Sequence, residues 1–309
     1  MKRIKEFGMG WRKDYPDIRD FTPLTDVVPE DSKKRGVKKS VNEMLNKVGL
    51  LTKSKSTLAS KKLPIKKDLR AWCSPIENQG EIGSCTAHAV IGLLEYYELK
   101  AFGNHIDASR MFLYKATRNL LHWKEDDGAY LRSAIGALAL FGAPPEEYWP
   151  YDEDKFNHEP SAFCYSFAQN YKAISYYRLD KLNVDRQDLL QNIKKHLSAE
   201  LPLVFGFTVY KSMDDAVETG SIPFPSLKDK VEGGHAVMAV GYDDTKMIKG
   251  KAKDSKQTKG AILIRNSWGE WGGLGGYLWL PYEFVLCGLA DDWWTLLKSE
   301  WIDTGEFGE

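Results

Sequence analysis

The chain has 309 residues, 43% of them hydrophobic and 28% charged, with 43 Lys+Arg balanced by 43 Asp+Glu. That length can bury one large core or two moderate ones, and the neutral balance gives no electrostatic case for a nucleic-acid partner. No stretch approaches the roughly 20 apolar residues that span a bilayer, and Met1 to Tyr15 lacks the apolar run of a secretory signal, so the expectation is a cytoplasmic monomer with no membrane partner.

The charge is unevenly placed. Residues 1–66 hold 17 Lys+Arg against 8 Asp+Glu, and the remainder holds 26 against 35. A basic leader (1–66) therefore precedes an acidic body (67–309), and the two attract each other. Within the leader, Pro16, Asp17, Asp20 and Pro23 mark turns. Ser40-Val41-Asn42-Glu43 reads as a capping box, and Val41, Met44, Leu45 and Val48 then follow helical spacing up to a stop at Gly49. So short a helix is unstable alone in water and needs a surface to dock on. Residues 52–67 read as a linker.

The body begins helical. From Cys85 to Phe102 the run is apolar on nearly all sides at first, the mark of a buried helix, with Ser84 at the N-cap position. Helices are expected over Ala108–Asn119, Tyr130–Phe141 and Asp185–Leu197. The period then changes to two, and Leu201–Tyr210, His235–Tyr242, Ala261–Trp268 and Gly276–Leu280 read as strands. The Lys-rich stretch 245–260 reads as a surface loop. A helical half followed by a strand-rich half is an α+β pattern in two lobes.

Four residues in this frame carry chemistry. Cys85 falls in the first turn of a buried helix, where the helix N-terminus and a nearby imidazolium would lower a thiol pKa from its usual 8.5 or so. His235 opens a strand after Gly233 and Gly234, which admit a close backbone approach. Asn266 closes another strand. If those two strands pair as a hairpin centred near residue 250, His235 faces Asn266 at about 4.5–5.5 Å. The Asn carbonyl can then accept the imidazole N–H and fix the ring. Gln79, six residues before Cys85 in a Gly-rich segment, can donate to an oxyanion together with the Cys85 N–H. His88, one turn after Cys85 on the same helix, is badly placed to reach across a cleft and reads as structural. Cys73, Cys164 and Cys287 lack metal-ligand spacing, and no phosphate loop or dinucleotide fingerprint is present, so neither metal nor cofactor is expected. Four scattered cysteines fit a reducing compartment.

The blocks NQGEIGSC, GGHAVMAVGYDD and RNSWGEWGGLGGYLWL resemble the three signature blocks of papain-like (C1-type) cysteine peptidases, prokaryotic-type members above all. The likeness runs over about residues 64–295, and Asp68-Leu69-Arg70 stands where mature enzymes begin. The resemblance implies a two-lobed fold with Cys85 and His235 on opposite walls of a cleft. It implies Cys85 as nucleophile, His235 as general base and acid, Asn266 as orienter, Gln79 as oxyanion donor and Trp268 as a shield for the Asn–His hydrogen bond. Gly128-Ala129 resembles the glycine pair that binds the substrate backbone, and Gly234 joins that substrate-binding set. A peptide or protein substrate is then implied. The chain departs from the secreted enzymes at Ile82, where they carry a disulfide cysteine, and at Thr86, where they carry an aromatic. Their long helical propeptide has no counterpart, and residues 1–66 are read instead as an intramolecular inhibitor or a brace. An acyl transferase or ligase on the same scaffold, or a non-catalytic peptide-binding module, are the rival readings.

Overall fold

The computed structural model describes residues 3–17, 20, 22, 41–50, 63–171 and 175–308. Its helices are α1 (Val41–Lys47), α2 (Cys85–Phe102), α3 (Arg110–Leu120), α4 (Leu131–Phe141), α5 (Ala162–Ala168), α6 (Arg186–Ser198), α7 (Ala216–Thr219), α8 (Tyr282–Leu286) and α9 (Ser299–Ile302). Its strands are β1 (Lys66–Asp68), β2 (Ser175–Arg178), β3 (Leu203–Tyr210), β4 (Val231–Ile248), β5 (Thr258–Arg265), β6 (Tyr277–Pro281) and β7 (Ala290–Leu297). The strands form one seven-stranded sheet in the order β2-β7-β3-β4-β5-β6, with β1 added on β4.

The helices end where local chemistry ends them. The Ser109 hydroxyl accepts from the Phe112 N–H at the start of α3, and the Asp185 carboxylate accepts from the Gln187 and Asp188 N–H groups at the start of α6, satisfying donors that have no partner within the helix. Gly103 closes α2 at φ 73°, a left-handed turn that glycine adopts without strain. Ser84 differs from the expected cap: its hydroxyl bonds Tyr151 at 2.6 Å and caps no helical N–H. Ser40 of the capping box and residues 52–62 of the expected linker lie outside the described residues; the end of that linker is instead strand, since Lys66 and Lys67 pair with Asp243 and Tyr242 of β4.

α2 is the axis of the molecule. It is buried on all sides for its first four turns and packs against α3, α4 and the face of β3 and β4. A buried polar cluster ties its middle to both halves. Arg110 of α3 clamps Glu95 of α2 through two bonds of 2.9 and 3.0 Å. The Ser74 hydroxyl donates to Glu95 at 2.5 Å, and Arg265 at the end of β5 donates to Ser74 at 3.0 Å. Gly92 leaves room for that guanidinium, since a Cβ there would overlap Arg265. The end of β5 is thereby held at a fixed height along α2.

Three sequence expectations change. β4 and β5 run into the 245–260 stretch, pairing as far as Met247 with Lys259 and Ile248 with Thr258, so the surface loop is shorter than expected. β5 stops at Arg265, and Asn266 stands beyond it. β7, with Asp291 and Asp292 near its start, was not expected as a strand. It is buried throughout because Arg178 of β2 meets Asp292 at 3.2 Å, a pairing that local sequence does not reveal.

The leader residues share the body's core. Ile4, Phe7, Trp11, Val41, Met44 and Leu45 belong to the same buried apolar cluster as α2 and the sheet. α1 docks its apolar face toward α9, with Lys47 paired to Asp303 at 2.9 Å.

Candidate active site

Cys85 opens α2, His235 lies on β4 opposite Phe207 of β3, and Asn266 follows β5. The Ala236 N–H, the next donor after His235, points at the Cys85 Sγ at 3.4 Å. His235 Nε2 lies 2.7 Å from Asn266 Oδ1, which makes Nε2 the protonated nitrogen of a neutral ring. His235 Nδ1 is buried and has no hydrogen-bond partner among the described residues.

The His235–Asn266 contact arises differently from the hairpin arithmetic. β4 and β5 carry two register shifts, and the last pairs are Ala239 with Ile264 and Met238 with Arg265. Continued in register, His235 would face Trp268 rather than Asn266. The two rings do stack, with centroids 4.5 Å apart and planes 26° apart. Asn266 reaches the imidazole because the chain leaves the strand after Arg265. Trp268 thereby covers one face of the imidazole.

Gln79 is fully buried. Its Oε1 accepts from the Ser267 hydroxyl at 2.6 Å, its backbone N–H donates to the Ser267 carbonyl at 2.8 Å, and its Nε2 donates on the other side to the Ile82 carbonyl at 2.9 Å. The residue after Asn266 thus orients the Gln79 amide.

The cleft is not open. Residues 7–13 cross it as an extended strap. Gln79 Nε2 donates to the Gly8 carbonyl at 3.0 Å. The Ala129 N–H donates to the Gly10 carbonyl at 2.8 Å, the Arg12 N–H donates to the Ala129 carbonyl at 3.0 Å, and the Trp11 N–H donates to the Gly234 carbonyl at 3.1 Å. Ala129 and Gly234 therefore bind backbone in this structure, and Gly128 at φ 77° lets it approach, since a Cβ there would overlap the Gly10 carbonyl. Phe7 stacks on the outer side of Trp268 at 4.8 Å, nearly parallel at 7°. The signal that could have found the strap is Phe7-Gly8-Met9-Gly10-Trp11. Side chains at Gly8 and Gly10 would overlap the Ile82 and Gly83 carbonyls, so glycine is required twice between two aromatic anchors.

The strap reverses the expected electrostatics. Cys85 and His235 are fully buried. Burial pushes the Cys85 thiol up to about 11, against N–H donors from Ala236, Gly10, Thr86 and Trp11 that favour the thiolate. Burial drives His235 down to about 4, against the Asn266 hydrogen bond. The expected thiolate–imidazolium pair is thus a neutral thiol and a neutral imidazole here, because no water reaches either group. His88 is held down to about 3 by burial and by Arg110; it faces Ser84 and Tyr151, away from the strap. All four cysteines are free thiols. Among the described residues no group of three His, Cys, Asp or Glu side chains could hold a metal ion, and no helix is long and apolar enough to cross a membrane.

The family model for papain family cysteine proteases matches residues 63–296. The crystal structure of xylellain, a cysteine protease from Xylella fastidiosa, is 32% identical, with a TM-score of 0.66 over 96% of this chain and 98% of that one. A peptidase C1-like protein of Acanthamoeba polyphaga mimivirus is 33% identical over 225 residues, 71% of this chain and 68% of its own length. The oryzain gamma chain of Oryza sativa subsp. japonica is 25% identical over 236 residues; the match spans 74% of this chain but only 58% of that protein.

Proposed function

The chain belongs to the papain family of cysteine proteases and is a cysteine peptidase acting on peptides or proteins; on that premise we propose that Cys85, His235 and Asn266 cleave the peptide bond through a thioester acyl-enzyme. One observation carries the mechanism. Asn266 Oδ1 accepts a hydrogen bond from the Nε2–H of His235 and leaves the buried, unpartnered Nδ1 as the nitrogen available to the thiol beside Ala236.

With water or substrate in place of the strap, Cys85 gives its proton to His235 Nδ1. The thiolate attacks the scissile carbonyl carbon, and the carbonyl oxygen takes the developing negative charge. Gln79 Nε2, which already donates to a carbonyl oxygen at 3.0 Å, donates to that oxyanion. The imidazolium returns its proton to the leaving amine, and the C–N bond breaks to leave a thioester. Neutral His235 then deprotonates a water, which attacks the thioester, and the thiolate departs with the carboxyl product formed.

We also propose that residues 7–13 inhibit the enzyme in cis. The support is their backbone pairing with Ala129 and Gly234, the Gly8 carbonyl on Gln79 and the complete covering of Cys85.

The test combines labelling and turnover. A thiol-directed epoxide is added to the full chain carrying Gly10→Val, whose added side chain would overlap the Gly83 carbonyl and displace the strap, the modified residue is located by mass spectrometry, and hydrolysis of a quenched fluorescent peptide is followed with Cys85→Ala in the same background as control. Modification at Cys85 with loss of turnover in both arms is expected. Full hydrolysis by Cys85→Ala would overturn the mechanism. Transfer of the acyl group to an added amine, seen as a mass shift in the product, would move the assignment to a transferase.

A further inference from the structure

Resting on the reading that residues 7–13 occupy the substrate groove, we infer that the pocket now filled by the Trp11 indole is the enzyme's side-chain specificity pocket, that it selects tryptophan, and that Asp292 is the residue that reads the indole N–H.

The pocket is defined by its occupant. The Trp11 backbone is pinned on both sides of the groove, with its N–H on the Gly234 carbonyl and the two flanking peptide units paired in parallel to Ala129. Its indole lies flat over Gly206 of β3, where a Cβ would overlap the ring at the Nε1 edge. The far edge lies against Gly234. A planar two-ring side chain fits because positions 206 and 234 have none. At the tip, Trp11 Nε1 donates to Asp292 Oδ2 at 3.1 Å.

Asp292 is built for that contact. It is fully buried and adopts φ 66°, in the left-handed region that strains a residue with a Cβ. The strain is held by Asp180, whose carboxylate accepts the N–H of Asp292 at 2.8 Å and of Trp293 at 2.7 Å. The β3–β7 register shifts between Val204 and Gly206, and such a bulge re-aims side chains. Asp292 Oδ1 is already engaged by Trp294 Nε1 at 2.7 Å and by Arg178 at 3.2 Å. Oδ2 is left to face the pocket, and without an occupant it is a buried acceptor whose desolvation is uncompensated.

Charge decides which donor suits it. Asp292 and Asp180 face Arg178, which bonds Asp180 at 2.9 Å. Arg132 lies nearby and is paired in this structure with the leader's Asp14 and Asp20 at 2.6 and 2.8 Å. At the rim, Asp291 keeps Arg186 at 2.5 Å when the leader's Lys13 departs. With the leader gone, Arg178 stays on Asp180 and Asp292 and Arg186 on Asp291, while Arg132, released from Asp14 and Asp20, leaves a further positive charge beside the Trp294 ring. A lysine or arginine tip would add an unmatched buried charge, whereas a neutral N–H satisfies Oδ2 at no such cost. Phenylalanine fills the space but leaves Oδ2 unpaired.

The experiment uses the full chain carrying Gly10→Val, which opens the strap without touching the pocket, and a positional scanning peptide library. One position is expected to prefer Trp over Phe by about tenfold in kcat/KM, and over Arg by more, since a site built for a hydrogen bond rejects partners that leave it unpaired. In Asp292→Asn the amide N–H₂ would face the indole donor, and the Trp preference should disappear while Phe peptides are still cleaved. In Gly206→Ala, Trp peptides should lose about tenfold while Val and Ala peptides do not. Thermal midpoints check folding, and Gly206→Ala carries the test alone should Asp292→Asn fail to fold. Cleavage with Arg preferred, or with no Trp preference at any position, overturns the inference and leaves the peptidase reading standing. No cleavage and no labelling of Cys85 overturns both.

Discussion

Gln79 Nε2 donates to the carbonyl oxygen of Gly8, 71 residues away in sequence, at 3.0 Å. The enzyme's proposed oxyanion donor is therefore occupied by a carbonyl of its own chain, and the first three expected outcomes below depend on whether that carbonyl stays.

Gly10→Val should release the strap. A side chain at Gly10 would overlap the Gly83 carbonyl, and neither backbone can retreat without breaking the Ala129 pairing. Hydrolysis by the intact chain is expected to rise at least about tenfold, the equivalent of losing roughly 1.4 kcal/mol of strap binding. Equal rates for the variant and the parent, both with Cys85 intact, would contradict inhibition by residues 7–13.

Alkylation of Cys85 should report the same event through pH. In the strapped chain the thiol sits at about 11, so iodoacetamide labelling at Cys85 is expected to be slow at neutral pH and to climb toward pH 11. In Gly10→Val, solvent stabilises the charged pair and labelling should already be fast near neutral pH. Peptide mapping at several pH values gives the profile; an unchanged midpoint would count against the burial argument.

Removing the oxyanion donor should act on the chemical step. Gln79→Ala, measured in the Gly10→Val background, is expected to lower kcat by about 10²–10³ with little change in KM, the usual range for loss of one preorganised donor. A change confined to KM would instead assign Gln79 to substrate binding.

Acid should destabilise the fold through buried imidazoles. Burial holds His88 at about 3, His196 at about 4 and His235 at about 4. The unfolded chain binds protons on these groups near 6.5, while the folded chain refuses them until about 4. Their stabilising contribution is therefore complete above about pH 6.5 and is lost as pH falls toward 4. Burial also lifts Glu98, Glu146 and Asp292 each to about 7, which works in the opposite sense across the whole of that window. The imidazole contribution is therefore read by difference: the change in urea midpoint from pH 7 to pH 5 should be less destabilising in His196→Gln than in the parent, and equal changes would count against it.

The cluster under the site should be costly to break. Arg110→Ala leaves the fully buried Glu95 without its guanidinium, and loss of one partner of a buried pair typically costs about 3–5 kcal/mol. The same change loosens the Ser74–Arg265 link that sets the height of Asn266, so a drop in denaturation midpoint should come with a drop in kcat. A midpoint within error of the parent would show that Glu95 is satisfied elsewhere.

The chemistry of this protein was legible along the chain, because it is written in local terms. A buried helix opening on Cys85, a glycine pair before His235 and a strand running into Asn266 each show within a few residues, and Gln79 stands close enough to Cys85 to be counted with it. The helices α2, α3, α4 and α6 and the strands β3, β4, β5 and β6 followed from period and caps for the same reason. What only the folded chain decided depends on distant partners. The two bulges between β4 and β5 shifted the register that would have set His235 against Asn266, and the turn after Arg265 restored the contact by another route. Asp292 carries no local signal, and it is Arg178 and Trp11, the latter 281 residues from it along the chain, that meet it inside. The leader's glycines had no visible purpose in sequence, because a close backbone approach leaves its mark on one segment while its cause lies on another. The residues named the reaction; the packing of residues 7–13 across them decided that, in this state, the thiol and the imidazole are both neutral and covered.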